Sequence, residues 1–99
     1  MFARVSRYRG DGELLRAGFD ASTPELEQLD GFQQAFFLAD RAHSRAMSIT
    51  LWEGAEAMEA SAERAHAMRT RATEPANASI ESVESYEVLL SVGPGAPVG

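Results

Sequence analysis

Apolar and polar residues alternate over residues 2–8, a period of two that predicts a strand with one covered face. Gly10-Asp11-Gly12 breaks the run. Over residues 13–19 the period lengthens, and Leu14, Leu15, Gly18 and Phe19 fall on one side of a helix. A second short helical piece starts at Thr23-Pro24, with threonine as cap and proline in the first position, and carries Leu26 and Leu29. Pro24 is expected to split or bend this helix, and Asp30-Gly31 to end it. Residues 32–39 read as a strand, residues 40–45 as a polar connection, and residues 46–53 as a strand that completes a hairpin. Gly54 then caps a helix over residues 55–73, with Met58, Ser61, Ala62, Ala65, Met68 and Ala72 on one face and Glu59, Glu63 and Arg71 away from it. After a loop at 74–77, residues 79–92 are rich in β-formers and long for a strand in a small domain, and residues 93–99 read as a disordered tail.

The order β-α-β-β-α-β predicts an α+β, ferredoxin-like domain over residues 1–92: a four-stranded antiparallel sheet with both helices on one face. The other face is not polar. Phe32, Phe36 and Leu38 are expected to point one way while Ala35, Phe37 and Ala39 point the other, and Met47, Ile49 and Leu51 oppose Trp52. Both faces therefore need cover. A second copy related by a two-fold axis is the simplest cover for the face without helices, which predicts a homodimer, the chain's own partner, with residues 86–92 continuing onto the neighbouring sheet. Arg4, inside a strand with two covered faces, is expected to pair with Glu84 or Glu87; anion recognition is the alternative.

Composition narrows the function classes. The 99 residues make one domain with a formal charge of −6, and the nine basic side chains, all arginine, are scattered. A nucleic-acid partner is excluded, because it needs a clustered basic footprint. The chain has no cysteine, which removes disulfides, thiolate nucleophiles and cysteine metal sites. No apolar run has the length of about 20 residues that spans a bilayer, and residues 1–8 are too short and polar for a signal h-region, so no membrane role and a cytoplasmic location are expected.

Trp52, the only tryptophan, shares its strand parity with Ala46, Ser48 and Thr50. Three small side chains beside one large one leave space. Bounded by Met58, Ser61, Ala62 and Ala65, that space could take a flat apolar ligand against the indole, with Trp52, Met58, Ala62 and Phe36 as ligand-binding candidates. The competing expectation is that Phe19, Leu26, Phe36 and the methionines fill it. Tyr8 and Tyr86 are either phenols at a pocket edge or packed rings with wet hydroxyls. His66 is either a half-exposed helix residue or an acid and base, and His43 faces solvent. The two histidines sit on different elements, no metal-ligand spacing is present, and no Gly-x-Ser-x-Gly elbow occurs.

Four segments carry a family resemblance: Met1-Phe2-Ala3-Arg4-Val5-Ser6, Pro24-Glu25-Leu26-Glu27-Gln28-Leu29-Asp30-Gly31-Phe32, Leu51-Trp52-Glu53 with Glu56-Ala57, and Val83-Glu84-Ser85-Tyr86-Glu87-Val88. On these, residues 1–92 resemble the antibiotic biosynthesis monooxygenase-like domains of the dimeric α+β barrel superfamily. The resemblance implies two protomers forming one barrel and a set of activities that includes oxygenases without a cofactor and haem-degrading enzymes. Family oxygenases use an Asn four residues before the tryptophan and a Tyr in the next helix; here those positions hold Ser48 and Met58. Haem-degrading relatives pair a first-strand Asn with a His and a second Trp in the second helix, and neither that Asn nor that Trp is present. The resemblance thus implies a cofactor-independent monooxygenase-like protein that acts on or binds a flat aromatic or quinonoid metabolite, with no cofactor or metal. Ser48, Trp52, His66 and Tyr86 are its catalytic candidates, and a non-catalytic binding or dimerisation module is the alternative.

Overall fold

Alternating burial along β1 (Phe2–Arg9) places Arg4, Ser6 and Tyr8 on a covered face, and the computed structural model, which describes residues 1–93, assembles the sheet around this strand. β2 (Phe32–Asp40), β3 (Arg45–Trp52) and β4 (Ser79–Glu87) complete four antiparallel strands in the order β2-β3-β1-β4. Three helices cover one face: α1 (Gly12–Glu27), α2 (Ala55–Ala60) and α3 (Ala62–Thr73). This is the ferredoxin-like α+β fold read from the sequence, with the second helix in two segments. Among the described residues no helix is long and apolar enough to cross a membrane.

Each local departure from the sequence reading has a physical cause. α1 runs through Pro24 as one helix. The missing N–H of Pro24 costs one backbone bond near the helix end, and the hydroxyls of Ser22 and Thr23 donate to the carbonyls of Gly18 and Phe19, one turn back. Asp11 starts the helix by accepting from the amides of Glu13 and Leu14 at 2.8 and 3.2 Å. The helix expected over 55–73 breaks at Ser61, because the Met58 carbonyl accepts from both the Ser61 hydroxyl and the Arg4 guanidinium. β4 stops at Glu87 rather than residue 92; its ladder with β1 runs to Phe2, and one more bond follows, from the Val88 amide to the Met1 carbonyl at 2.9 Å. Leu89, Leu90 and Val92 follow it exposed. The tail expected over 93–99 lies, beyond Gly93, outside the described residues.

Phe32 does not share a face with Phe36. A register shift between Phe32 and Gln34 turns Phe32 inward, edge-on to Trp52 with 5.6 Å between ring centroids, while Phe36 and Leu38 are left exposed. Arg4 does not pair with Glu84 or Glu87. It points to the helices, whereas Glu84 lies opposite Val5 on the other face and holds Arg7 at 2.9 Å.

The core under the helices has two centres. Tyr8, Leu15, Ala46 and Ala76 form one, and Leu29, Trp52, Met58 and Met68 the other. Gly18 lets α1 approach α3 closely: a Cβ there would lie 2.7 Å from the Ala72 Cα. Gly31, at φ +77°, turns the chain into β2 where a Cβ would meet that of Ala57 at 2.4 Å.

Candidate functional site

The two core centres do not merge, and a cavity of about 250 Å³ remains between the inner face of the sheet and the helices α1 and α3. Its floor is made by strand parity. Ser48, Thr50 and Trp52 come from β3, Arg4 and Ser6 from β1, and Ala35 and Phe37 from β2. The roof is helical, with Phe19 and Leu26 from α1 and Ala65, Met68 and Arg69 from α3. The space beside the indole is therefore only partly filled: Phe19 packs at a tilt against Phe37 and Tyr8, with ring centroids 4.9 and 5.3 Å apart, and the small residues Ala35, Ser48 and Ala65 keep the middle open.

Trp52 is fully buried and forms one wall. Its indole N–H donates to the Thr50 hydroxyl at 2.9 Å, so the indole offers a ligand its face and not its donor. The Tyr8 phenol and the Ser48 hydroxyl lie 2.8 Å apart, and Ser48 is the member that reaches the cavity. Burial pushes the Tyr8 phenol above its ordinary value, opposed by the Ser48 and Ser6 hydroxyls and the Arg69 charge. This phenol stays protonated at neutral pH. Asp20, exposed on α1, supplies a carboxylate to the cavity wall, and Arg16 lies on the same wall.

The residues singled out from the sequence separate into groups. Trp52 and Ser48 line the cavity; Phe36, paired with Ile49 on the opposite sheet face and 46% exposed, reaches only its outer rim. Met58 is buried in the Trp52 core centre without lining the cavity, and Ala62 is exposed, on the flank of the face that buries Met58, Ser61, Ala65, Met68 and Ala72. His66 is exposed on α3, outside the cavity. Tyr86 lies on the opposite sheet face, where its hydroxyl donates to Glu84 at 2.8 Å; that hydrogen bond, and then the Glu84 charge, push its phenol pKa up. His66 and Tyr86 are thus not brought together with Ser48 and Trp52. Arg69, Asp20 and Phe37 were missed. Arg69 follows Ala65 by four positions and precedes Ala72 by three, so the helical spacing itself puts it on the inner face.

Comparison with known proteins places this arrangement. The chain superposes on SnoaB, a cofactor-independent oxygenase from Streptomyces nogalater, with a TM-score of 0.72 at 15% identity, covering 92% of this chain and 95% of that one. A candidate antibiotic biosynthesis monooxygenase from Deinococcus radiodurans gives 0.71 at 15% identity, covering 94% and 97%. The chain has the fold of the antibiotic biosynthesis monooxygenase-like domains. The haem-degrader MhuD from Mycobacterium tuberculosis, solved with two hemes in its active site, matches the monooxygenase-like chain with a TM-score of 0.69 at 25% identity, over 94% of this chain and all of MhuD. No family model matches the sequence. The uncharacterized proteins MT2634 and Rv2557 of Mycobacterium tuberculosis are each 30% identical to it over 92 residues, 89% of this chain. The chain spans 41% of the length of these relatives.

Proposed function

We propose that this monooxygenase-like domain binds a flat aromatic or quinonoid molecule between sheet and helices and oxidises it with dioxygen, without a cofactor. The observation that carries this reading is the cavity of about 250 Å³ walled by the buried Trp52 indole. Its volume approaches the lower end of the roughly 300–1,000 Å³ of small-molecule sites. The fold shared with a cofactor-independent oxygenase supports it.

The chemistry asks little of the protein. A phenolate such as that of 1-naphthol passes electrons to dioxygen, and a C–O bond forms at the ring carbon opposite the phenolate oxygen. Loss of that carbon's proton then breaks the O–O bond. One oxygen atom stays as the new quinone carbonyl, and the other leaves as water with the phenol proton and the ring proton. Trp52 and Phe37 hold the ring and exclude water, Ser48 donates to the oxyanion, and the Asp20 carboxylate at the cavity wall accepts the phenol proton. Haem is not assigned to the site, since both histidines are exposed and neither lines the cavity.

The apolar sheet face opposite the helices, built from Val5, Met47, Ile49 and Leu51 with exposed Phe36 and Leu38, supports a homodimer in which a second copy covers it. Light scattering after gel filtration should give twice the mass of the chain; a monomer at micromolar concentration would remove that reading.

Oxygen uptake with 1-naphthol tests the activity. Turnover that falls at least tenfold in Ser48→Ala at unchanged melting temperature supports the oxygenase. Saturable quenching of the single tryptophan by a naphthoquinone, with no oxygen uptake, assigns a binding module instead. The internal pairing of Trp52 with Thr50 and of Tyr8 with Ser48 favours this second reading, because it leaves few free polar groups to act on a substrate.

A further inference from the structure

Of the nine arginines, seven reach a carboxylate within ion-pair distance, and all seven are exposed. The other two, Arg4 and Arg69, are the buried ones, only 6% and 8% exposed, and both line the cavity. This inverts the ordinary arrangement, in which a buried cation is neutralised and a surface one is left to water. Arg4 is held in place by neutral acceptors, the Ser61 hydroxyl at 3.2 Å and the Met58 carbonyl, and its Cζ lies 5.7 Å from the Trp52 ring centroid. Those contacts fix its position without cancelling its charge. The Nε of Arg69 is buried and has no hydrogen-bond partner among the described residues.

Burial lowers the pKa of both guanidiniums, and the charge of Arg69 lowers that of Arg4 further. Arginine nevertheless remains charged at neutral pH. The domain therefore holds two positive charges in a partly apolar space, beside an aromatic wall, with donors to spare. Asp20, the carboxylate on the cavity wall, is exposed and pairs with neither.

We propose that Arg4 and Arg69 form the anion-recognition end of the cavity and bind the carboxylate of a flat aromatic acid whose ring lies against Trp52. The assignment rests on reading the cavity as a small-molecule site and adds the charge of the molecule it takes. A guanidinium presents its N–H groups in a planar fork that matches a carboxylate, and a carboxylate conjugated to a ring shares the ring's plane. Because the Arg4 charge adjoins the indole, one planar molecule can meet the aromatic wall and the cation together. Phosphate esters fit less well, since their tetrahedral oxygens leave the plane of the ring that carries them.

Titration calorimetry of the full chain with 2-naphthoate and with its neutral counterpart 2-naphthamide tests the assignment without any mutation. The naphthoate is expected to bind at least tenfold more tightly, and that advantage to shrink as salt rises. In Arg69→Met the naphthoate affinity should fall at least tenfold, with naphthamide binding held within threefold. Equal affinities of the two probes for the unmodified protein would overturn the anion assignment and leave the cavity intact as a site. Binding of neither probe would overturn the small-molecule reading, and this proposal with it.

Discussion

Replacing Arg69 by methionine should make this domain more stable. The methionine Sδ and Cε take the places of the arginine Cδ and Nε, so the substitution turns the buried, unpartnered Nε into a methyl group and removes the charge beyond it. Arginine and methionine have nearly equal helix propensity, so the backbone of α3 contributes little to the difference. A buried donor without a partner costs about 1–3 kcal/mol, and replacing buried charge by apolar groups of similar volume has given gains of about 1–4 kcal/mol. The lost guanidinium atoms open onto an existing cavity that water can enter, which keeps the void penalty small. A net gain of about 1–3 kcal/mol follows, and for a domain of this size each kcal/mol raises the melting temperature by roughly 4–8 °C. Thermal melts and urea titrations at neutral pH measure it, with an unchanged m-value showing that both proteins unfold alike. A variant that melts below the unmodified protein would mean that the guanidinium is satisfied in the folded state. The argument from an uncompensated buried charge would then fail. Ordinary surface or core arginines lose stability on truncation, so the sign of the effect separates a group kept for a ligand from one kept for the fold.

Other perturbations test the frame around the site. Trp52→Ala empties a fully buried position at one core centre and should cost about 3–5 kcal/mol, read as a shift of the urea midpoint; a loss under 1 kcal/mol would show the indole packed loosely. Gly18→Ala gains about 1 kcal/mol of helix propensity, but its Cβ would lie 2.7 Å from the Ala72 Cα, and overpacking of about 1–3 kcal/mol should leave a net loss. A raised melting temperature would refute that close approach of α1 and α3. Asp40, the last residue of β2, is held at about 2 by hydrogen bonds from Arg45 and then His43. Because its folded pKa is depressed, its contribution is complete above its ordinary range near 4 and disappears as pH falls towards 2. Asp40→Asn should therefore lose less stability than the unmodified protein between those two pH values; parallel acid-unfolding curves would contradict the assignment.

The order of elements was legible because it rests on period: two in the strands, 3.6 in the helices. The open space beside Trp52 was legible for the same reason, since Ser48 and Thr50 share its parity whatever the register. What the sequence hid depends on contacts between distant segments. Arg4 looked like a partner for Glu84 because both lie in paired strands, but direct pairing of Glu84 with Val5 puts the two on opposite faces. Tyr86 fell to the outer face by the same rule. The expected face held at Met58, Ser61, Ala65, Met68 and Ala72 but not at Ala62 on its flank, and the guanidinium that reaches the Met58 carbonyl at the helix break comes from a strand more than fifty residues earlier. Arg69 was legible but disregarded, since a charge on an alanine-rich helix reads as a solvated face until its position relative to Ala65 and Ala72 is counted.

The two central strands carry a numbering rule that a mutational survey would meet at once. In β1 and β3 the even positions, Arg4, Ser6, Ser48, Thr50 and Trp52, line the cavity, while the odd positions, Val5, Arg7, Met47, Ile49 and Leu51, face the other way. Substitutions can therefore alter the cavity lining and the opposite sheet face separately, one parity at a time. Inserting or deleting a single residue in either strand cannot, because it would exchange the two sets together. Length variation should thus be confined to the turns and to the strand ends. The central strands would then diverge by substitution alone, with the cavity lining changing along the even positions and the opposite sheet face along the odd.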